Sequence, residues 1–193
     1  MKISPRQVDA FCARPDAKIR VVLIYGADTG MVRERADLIA KSAVDDLSDP
    51  FRVAELAGDA AASDPGLLID EAGAMSLTGG RRVVRVKGAG DKLTGAVEDL
   101  LGRPTGDTLV IIEAGELQGR SKLRSLLEKS SEGAAIACYR DEGRDLSGLI
   151  DAALGEHNVG IDRDAKALLV AYLGGDRRQT RNEISKLALY AGD

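Results

Sequence analysis

"VVLIYGADTGMVRERA", residues 21–36, decides how the rest of the chain is read. An apolar, mostly β-branched run (Val21, Val22, Leu23, Ile24) enters a short loop with two glycines. A polar segment follows, with helical spacing at Val32, Ala36, Ile39 and Ala43. Strand, glycine loop and helix in that order form the front of a nucleotide-binding site, where backbone amides and the helix N-terminus cradle phosphates. The residues inside the loop test that reading. A phosphate-binding loop of the form G-x-x-x-x-G-K-[ST] needs its lysine for the β/γ-phosphates and its hydroxyl for magnesium. Here three residues, not four, separate Gly26 from Gly30, and Met31 and Val32 stand where lysine and hydroxyl belong. Asp28 places an acid in the loop itself, which repels a triphosphate. The dinucleotide pattern G-x-G-x-x-G also fails, because Ala27 and Asp28 follow Gly26. The loop therefore reads as a tight strand-to-helix turn with weak anion affinity at most.

Outward from this stretch, strands alternate with helices of about ten residues, the signature of βαβ units in a parallel sheet covered on both faces. The runs 51–58, 81–89, 107–115 and 133–140 read as further strands. Residues 1–15, 64–75, 92–102 and 121–131 read as helices, the first with Ser4 as N-cap and Pro5 at the first helical position. No strand is expected after Arg140. The remaining segments are helical, the last with an apolar stripe at Ile184, Leu187 and Leu189. The expected fold class is α/β, a P-loop-NTPase-like parallel sheet flanked by helices (1–141), followed by a small helical domain (142–193).

The fourth strand gives a second test. A nucleotide hydrolase of this architecture sets a magnesium-holding acid at a strand end, and AAA+ members add a glutamate beside it to activate water. "LVIIEAGEL" offers Glu113 and then Ala114, so the metal-side acid is altered and the catalytic neighbour is missing. Phosphoryl transfer rests on all these parts being positioned together. The frame of an ATPase is present without its engine, and no nucleotide, cofactor or metal is expected.

Composition excludes other classes. The 193 residues carry a net charge of -4, with 44% apolar residues, 3% aromatics and no Trp. A core is available, global disorder is not, and neither a basic DNA-wrapping surface nor an aromatic platform for single strands is present. Cys12 and Cys138 fit neither a disulfide framework nor a metal motif and read as reduced, structural thiols. There is no secretory signal and no membrane-length apolar run, so a soluble cytoplasmic protein is expected. His157 sits in a polar stretch with no nucleophile nearby, and reads as a surface residue. Cys138, with no local basic partner, reads as an inert core thiol. Glu55, Asp59, Asp64, Asp70 and Glu71 fit no metal spacing. Arg81, Arg82 and Arg85 at the start of the third strand read either as a solvated strand end or as contacts for phosphate or an acidic partner.

The most informative segment is "DEAGAMSLTGGRRVVRV", residues 70–86. A helix carries Ala74 and Met75, breaks at Ser76-Leu77-Thr78, and is followed by Gly79 and Gly80. Met75 and Leu77 either face the core or form an apolar helix tip that plugs a partner's pocket.

With "LIYGADTGMVRERA", "DPFRV", "TLVIIEAGELQGRSKLRSLLEK", "AAIACY" and "YLGGDRRQTRNEISKLALY", this segment resembles the delta subunit of the bacterial DNA polymerase III clamp loader over essentially the whole chain. The resemblance implies an AAA+-like domain that has lost ATP binding, followed by a three-helix lid. It implies a non-enzymatic subunit of a nucleotidyltransferase complex that binds the sliding clamp (beta) and helps open it for loading onto DNA during replication. Partners would be gamma/tau and delta prime, with DNA reached through the assembled loader. The family's clamp contact is an apolar pair in an "AMSLF" motif. Its Leu maps onto Leu77 and its Phe onto Thr78, a departure by which either Met75 and Leu77 carry more of the contact or clamp binding is weaker. The family's third, helical collar domain has no counterpart, which implies a fragment. Two rivals stand beside this reading: a degenerate P-loop ATPase, and a DNA-binding module using Arg177, Arg178 and Arg181.

Overall fold

In the computed structural model, the β-branched runs form a five-stranded, all-parallel sheet in the order β2-β3-β4-β1-β5. The strands are β1 (Val21–Tyr25), β2 (Val53–Ala57), β3 (Arg82–Ala89), β4 (Thr108–Ala114) and β5 (Gly133–Ala137). The structure describes residues 1–76, 79–103, 106–139, 144–173 and 176–191. Leu77, Thr78, the expected boundary at 142 and the glycine pair 174–175 lie outside the described residues. Two compact units result, one of Met1–Gly26 with Val32–Cys138, the other of Ala27–Met31 with Tyr139–Asp193.

The first unit is built on the sheet. Alternation puts Val21, Leu23 and Tyr25 of β1 on one face with Val84, Val86, Val110, Ile112 and Ala135. That face packs against α3 (Gly58–Ser63), α4 (Pro65–Gly73), α5 (Thr94–Leu101) and α6 (Lys122–Lys129) through Ala61, Leu68, Ala72, Val97, Leu100, Leu123 and Leu127. The opposite-facing residues Val22, Ile24, Val83, Ile111 and Ile136 are buried as well. On that side Arg85 reaches Asp37 of α2 (Thr29–Lys41). Both faces are therefore covered, which is why these strands read as continuous apolar runs rather than alternating ones.

Three local readings change. The first helix opens as a 3-10 turn, Pro5–Gln7, before α1 (Val8–Ala13); the Ser4 hydroxyl bonds Gln7 Oε1 at 2.6 Å instead of a backbone amide. Helix α3 was not expected at all. The arginines of β3 are not solvated: Arg82 and Arg85 are buried.

The second unit contains α7 (Arg144–Gly155), α8 (Arg163–Tyr172) and α9 (Arg177–Ala191). Its core joins Leu146, Leu149, Ile150, Ala153 and Leu154 of α7 to Ile184 and Ala188 of α9. The buried face of α9 thus runs through Thr180, Ile184 and Ala188, while Leu187 and Leu189 of the expected stripe are exposed. Asp162 caps α8, accepting from the amides of Asp164 and Ala165 at 2.9 Å. Among the described residues no helix is long and apolar enough to cross a membrane.

Gly26 ends β1 with φ of +154°. A Cβ there would lie 1.8 Å from the backbone oxygen of Cys138, so the chain leaving β5 requires this glycine for close approach. Gly26→Ala is expected to lower unfolding stability by at least about 3 kcal/mol, read from urea titration of the two proteins. An unchanged midpoint would show that the chain after β5 can yield.

Candidate functional site

The loop that resembles a phosphate cradle contains donors in the expected places, and the protein's own carboxylates take them. Asp28 is the N-cap of α2: its Oδ1 accepts from the Met31 amide at 2.8 Å. Asp176 plays the same part for α9, accepting from the Gln179 amide at 2.9 Å. Each cap also serves the other helix. Asp28 Oδ2 accepts from the Arg177 amide at 3.0 Å, and Asp176 Oδ2 from the Gly30 amide at 3.0 Å and the Thr29 hydroxyl at 3.1 Å. These contacts are why Ala27–Met31 belongs to the same unit as α9.

The physical sense is electrostatic. A helix N-terminus carries roughly half a positive charge, and two of them meet here with their first amides unpaired within their own helices. Two carboxylates answer both needs. Asp28 is buried. Asp176 is held below the usual carboxylate range, by the Gln179 amide first and also by the Thr29 hydroxyl and the Gly30 and Arg178 amides, against desolvation. Gly30 is explained by the same packing. A Cβ there would sit 2.6 Å from Asp176 Oδ1 and 2.7 Å from the Arg178 nitrogen. This glycine makes room for α9.

Glu113 ends up beside β1, its Cα paired with Ile24 on one side and Lys87 on the other. Its carboxylate is spoken for. Arg85 Nε donates to Glu113 Oε1 at 2.8 Å, and Arg85 Nη1 to Asp37 at 2.6 Å. Burial pushes the Glu113 carboxyl up, opposed by the charge and hydrogen bond of Arg85. Removing either partner of such a buried pair leaves an uncompensated charge, a cost of about 3–5 kcal/mol. Neither β3 nor β4 ends in paired acids: β3 closes on Lys87, Gly88 and Ala89, β4 on Glu113 and Ala114.

The other candidates settle into structural roles. Glu55 pairs with Lys87 at 2.6 Å, and Asp64 caps α4 through the Gly66 amide at 3.0 Å. His157 is exposed, with Nε2 3.3 Å from the Ser185 hydroxyl. Cys12 and Cys138 are buried thiols outside any disulfide; burial pushes the Cys12 thiol up to about 11. Cys138 does have a basic neighbour that its local sequence hides, Arg35 Nη1 at 3.2 Å from Sγ. Arg181 pairs with Glu156 at 2.8 Å. Among the described residues no group of three or more His, Cys, Asp or Glu side chains could hold a metal ion.

The end of α4 is different, because it offers apolar surface. Met75 is 88% exposed. The helix end before it is fixed by Arg82, whose Nη1 donates to the carbonyls of Glu71 (3.0 Å) and Ala74 (3.2 Å) and whose Nη2 donates to the Glu71 carboxylate (3.0 Å). A buried guanidinium thus satisfies carbonyls that a helix C-terminus leaves open. Of the three expected tip residues, the structure places Met75 at the surface; Leu77 and Thr78 are outside the described residues.

A family model described as DNA polymerase III, delta subunit, matches residues 22–136. A curated relative, the probable DNA polymerase III subunit delta of Rickettsia prowazekii (strain Madrid E), is 23% identical over 179 residues, covering 91% of this chain and 52% of the relative. The chain therefore spans about half the length of the curated relative it matches. Among solved structures, the DNA clamp loader delta protein of Bacillus subtilis gives a TM-score of 0.65 at 21% identity, over 97% of this chain and 58% of that one. Domain III of the Thermotoga maritima replication initiation protein DnaA gives 0.56 at 15%, over 97% and 85%. A DNA polymerase III gamma-subunit-related protein of Thermotoga maritima gives 0.51 at 13%, over 78% and 51%. At these identities the structural likenesses speak for the fold, an AAA+-like parallel sheet with a helical C-terminal region.

Asp176→Ala is expected to cost about 1–2 kcal/mol, as loss of a strong N-cap does, and to couple to Asp28→Ala in a double-mutant cycle. The folded-state value of Asp176 is depressed, so its contribution is present above its ordinary value of 3.8 and is lost as pH falls through and below it. Urea titrations of wild type and Asp176→Ala at pH 7 and pH 3 check both points: the gap between them should narrow in acid.

Proposed function

The chain belongs to the DNA polymerase III delta-subunit family, and we propose that it grips a sliding clamp with the apolar end of α4 and binds no nucleotide. The observation that carries the first half is Met75, a long apolar side chain standing in water at a helix end that a buried arginine holds still. Leu77, next along, is the anchor of the contact, and Thr78 leaves it short of an aromatic ring. Residues 1–141 act as the clamp-binding wrench and 142–193 as a lid. In the cytoplasm, gamma/tau and delta prime complete a loader that reaches DNA as an assembly.

Opening a ring in this way requires no bond chemistry in the subunit. A protein that binds the open or strained clamp better than the closed one shifts the population by its differential affinity. The second half of the proposal is supported by the filled cradle: Gly30, Met31 and Thr29 already give their hydrogen bonds to Asp176 and Asp28. A degenerate ATPase would have to expel two carboxylates before admitting a phosphate.

Leu77→Ala is expected to weaken clamp binding by at least about tenfold, the scale of a buried apolar hot spot, in calorimetry with the cognate clamp. Unchanged affinity would remove Leu77 from the contact. Titration with ATP and magnesium should give no saturable heat in the micromolar range; tight binding lost on mutating Gly30 would defeat the reading.

A further inference from the structure

The chain has two phenylalanines, and they are treated oppositely. Phe11 is buried, whereas Phe51 is 57% exposed. The exposure is not that of a loose loop. The Phe51 amide donates to Asp49 Oδ1 at 2.8 Å, and its carbonyl accepts from Arg82 Nε at 3.2 Å. The next residue is tied too: Arg52 donates through Nε to the Arg81 carbonyl at 3.2 Å and through Nη2 to the Ala43 carbonyl at 3.1 Å. The backbone is fixed on both sides of a ring that the fold leaves in water.

Arg82 is the link. One guanidinium holds the Phe51 carbonyl with Nε and the Glu71 and Ala74 carbonyls with Nη1. The Phe51 carbonyl and that of Ala74, the residue before Met75, are therefore held by one guanidinium. Single exposed apolar residues are ordinary on a protein surface. Phe51 and Met75, exposed on either side of backbone that one buried arginine holds, are not explained by stability of the fold.

We propose that Phe51 belongs to the clamp-gripping surface and supplies the aromatic ring that Thr78 does not. This inference rests on the reading of the α4 tip as the clamp contact. The proposed occupant is the sliding-clamp surface that takes Met75, because one guanidinium holds the Phe51 backbone and the end of α4 together. Aromatic rings fixed before binding are favoured anchors, since little side-chain freedom remains to be lost. In this chain the ring arrives from the turn before β2 rather than from the residue after Leu77.

The test is binding of the 193-residue chain to its cognate sliding clamp, with wild type, Leu77→Ala, Phe51→Ala and Leu38→Ala compared by calorimetry and thermal melting. Leu38 is an exposed apolar residue of α2 outside the Arg82 cluster. The expected result is a Kd raised at least about fivefold by Phe51→Ala, with the melting midpoint within about 2 °C of wild type and Leu38→Ala unchanged. If wild type binds, Leu77→Ala loses affinity and Phe51→Ala does not, the role of Phe51 is overturned while the clamp contact stands. Equal losses from Phe51→Ala and Leu38→Ala would also overturn it. If wild type does not bind the clamp at all, the underlying reading falls.

Discussion

Two helix N-termini meet with their N-cap aspartates exchanged, Asp28 accepting from α9 and Asp176 from α2, and the character of the protein follows from that exchange. Bringing two partial positive charges together in one place is unfavourable unless an anion sits between them. In a nucleotide-binding protein the anion is a phosphate, and the protein changes state as it comes and goes. Here the anions are covalently part of the chain. The local concentration of an attached carboxylate is always high, so a free phosphate competes at a disadvantage from the start. The Thr29 hydroxyl and the Gly30, Met31 and Arg177 amides thus give their hydrogen bonds to carboxylates of the chain itself.

The same substitution of internal for external partners recurs in the first unit. Glu113, at the end of β4 where an acid could meet a metal, is neutralised by Arg85, which also holds Asp37. Arg82 occupies the carbonyls at the end of α4. In each case a polar group that could have served a ligand serves the fold. What remains uncommitted at the surface of this unit is apolar, Met75 and Phe51, and apolar surface held rigidly recognises protein, not phosphate.

Much of this was legible in the sequence and some was not, for physical reasons. The strands announced themselves as β-branched apolar runs, because a parallel sheet buried on both faces tolerates little else. The departure of the loop from a phosphate-binding pattern is legible from Met31 and Asp28, since phosphate chemistry fixes residue types at fixed spacing. Helix α3 was invisible: Gly-Asp-Ala-Ala-Ala-Ser has no apolar period. Its Gly58 matters through a distant contact, a Cβ there falling 2.7 Å from the Gly88 oxygen. The arginines of β3 looked solvated because their acids stand far away, Glu71 eleven residues from Arg82 and Glu113 twenty-eight from Arg85. The expected stripe of α9 runs through Ile184, Leu187 and Leu189; Ile184 is buried, but Ala188 joins it in the core while both leucines stay exposed. Asp176 could not be seen as the partner of Gly30, because 146 residues separate them.

The most direct measurement is of the backbone amides of Gly30, Met31 and Arg177 by nuclear magnetic resonance, as ATP and magnesium are added at neutral pH and, separately, as the pH is lowered. If the aspartates own the site, these signals stay still under millimolar nucleotide, and that of Gly30 moves only as the pH falls below the usual carboxylate range, where Asp176, held low by its hydrogen bonds, protonates. Saturable movement of the three signals with nucleotide at neutral pH would contradict the account.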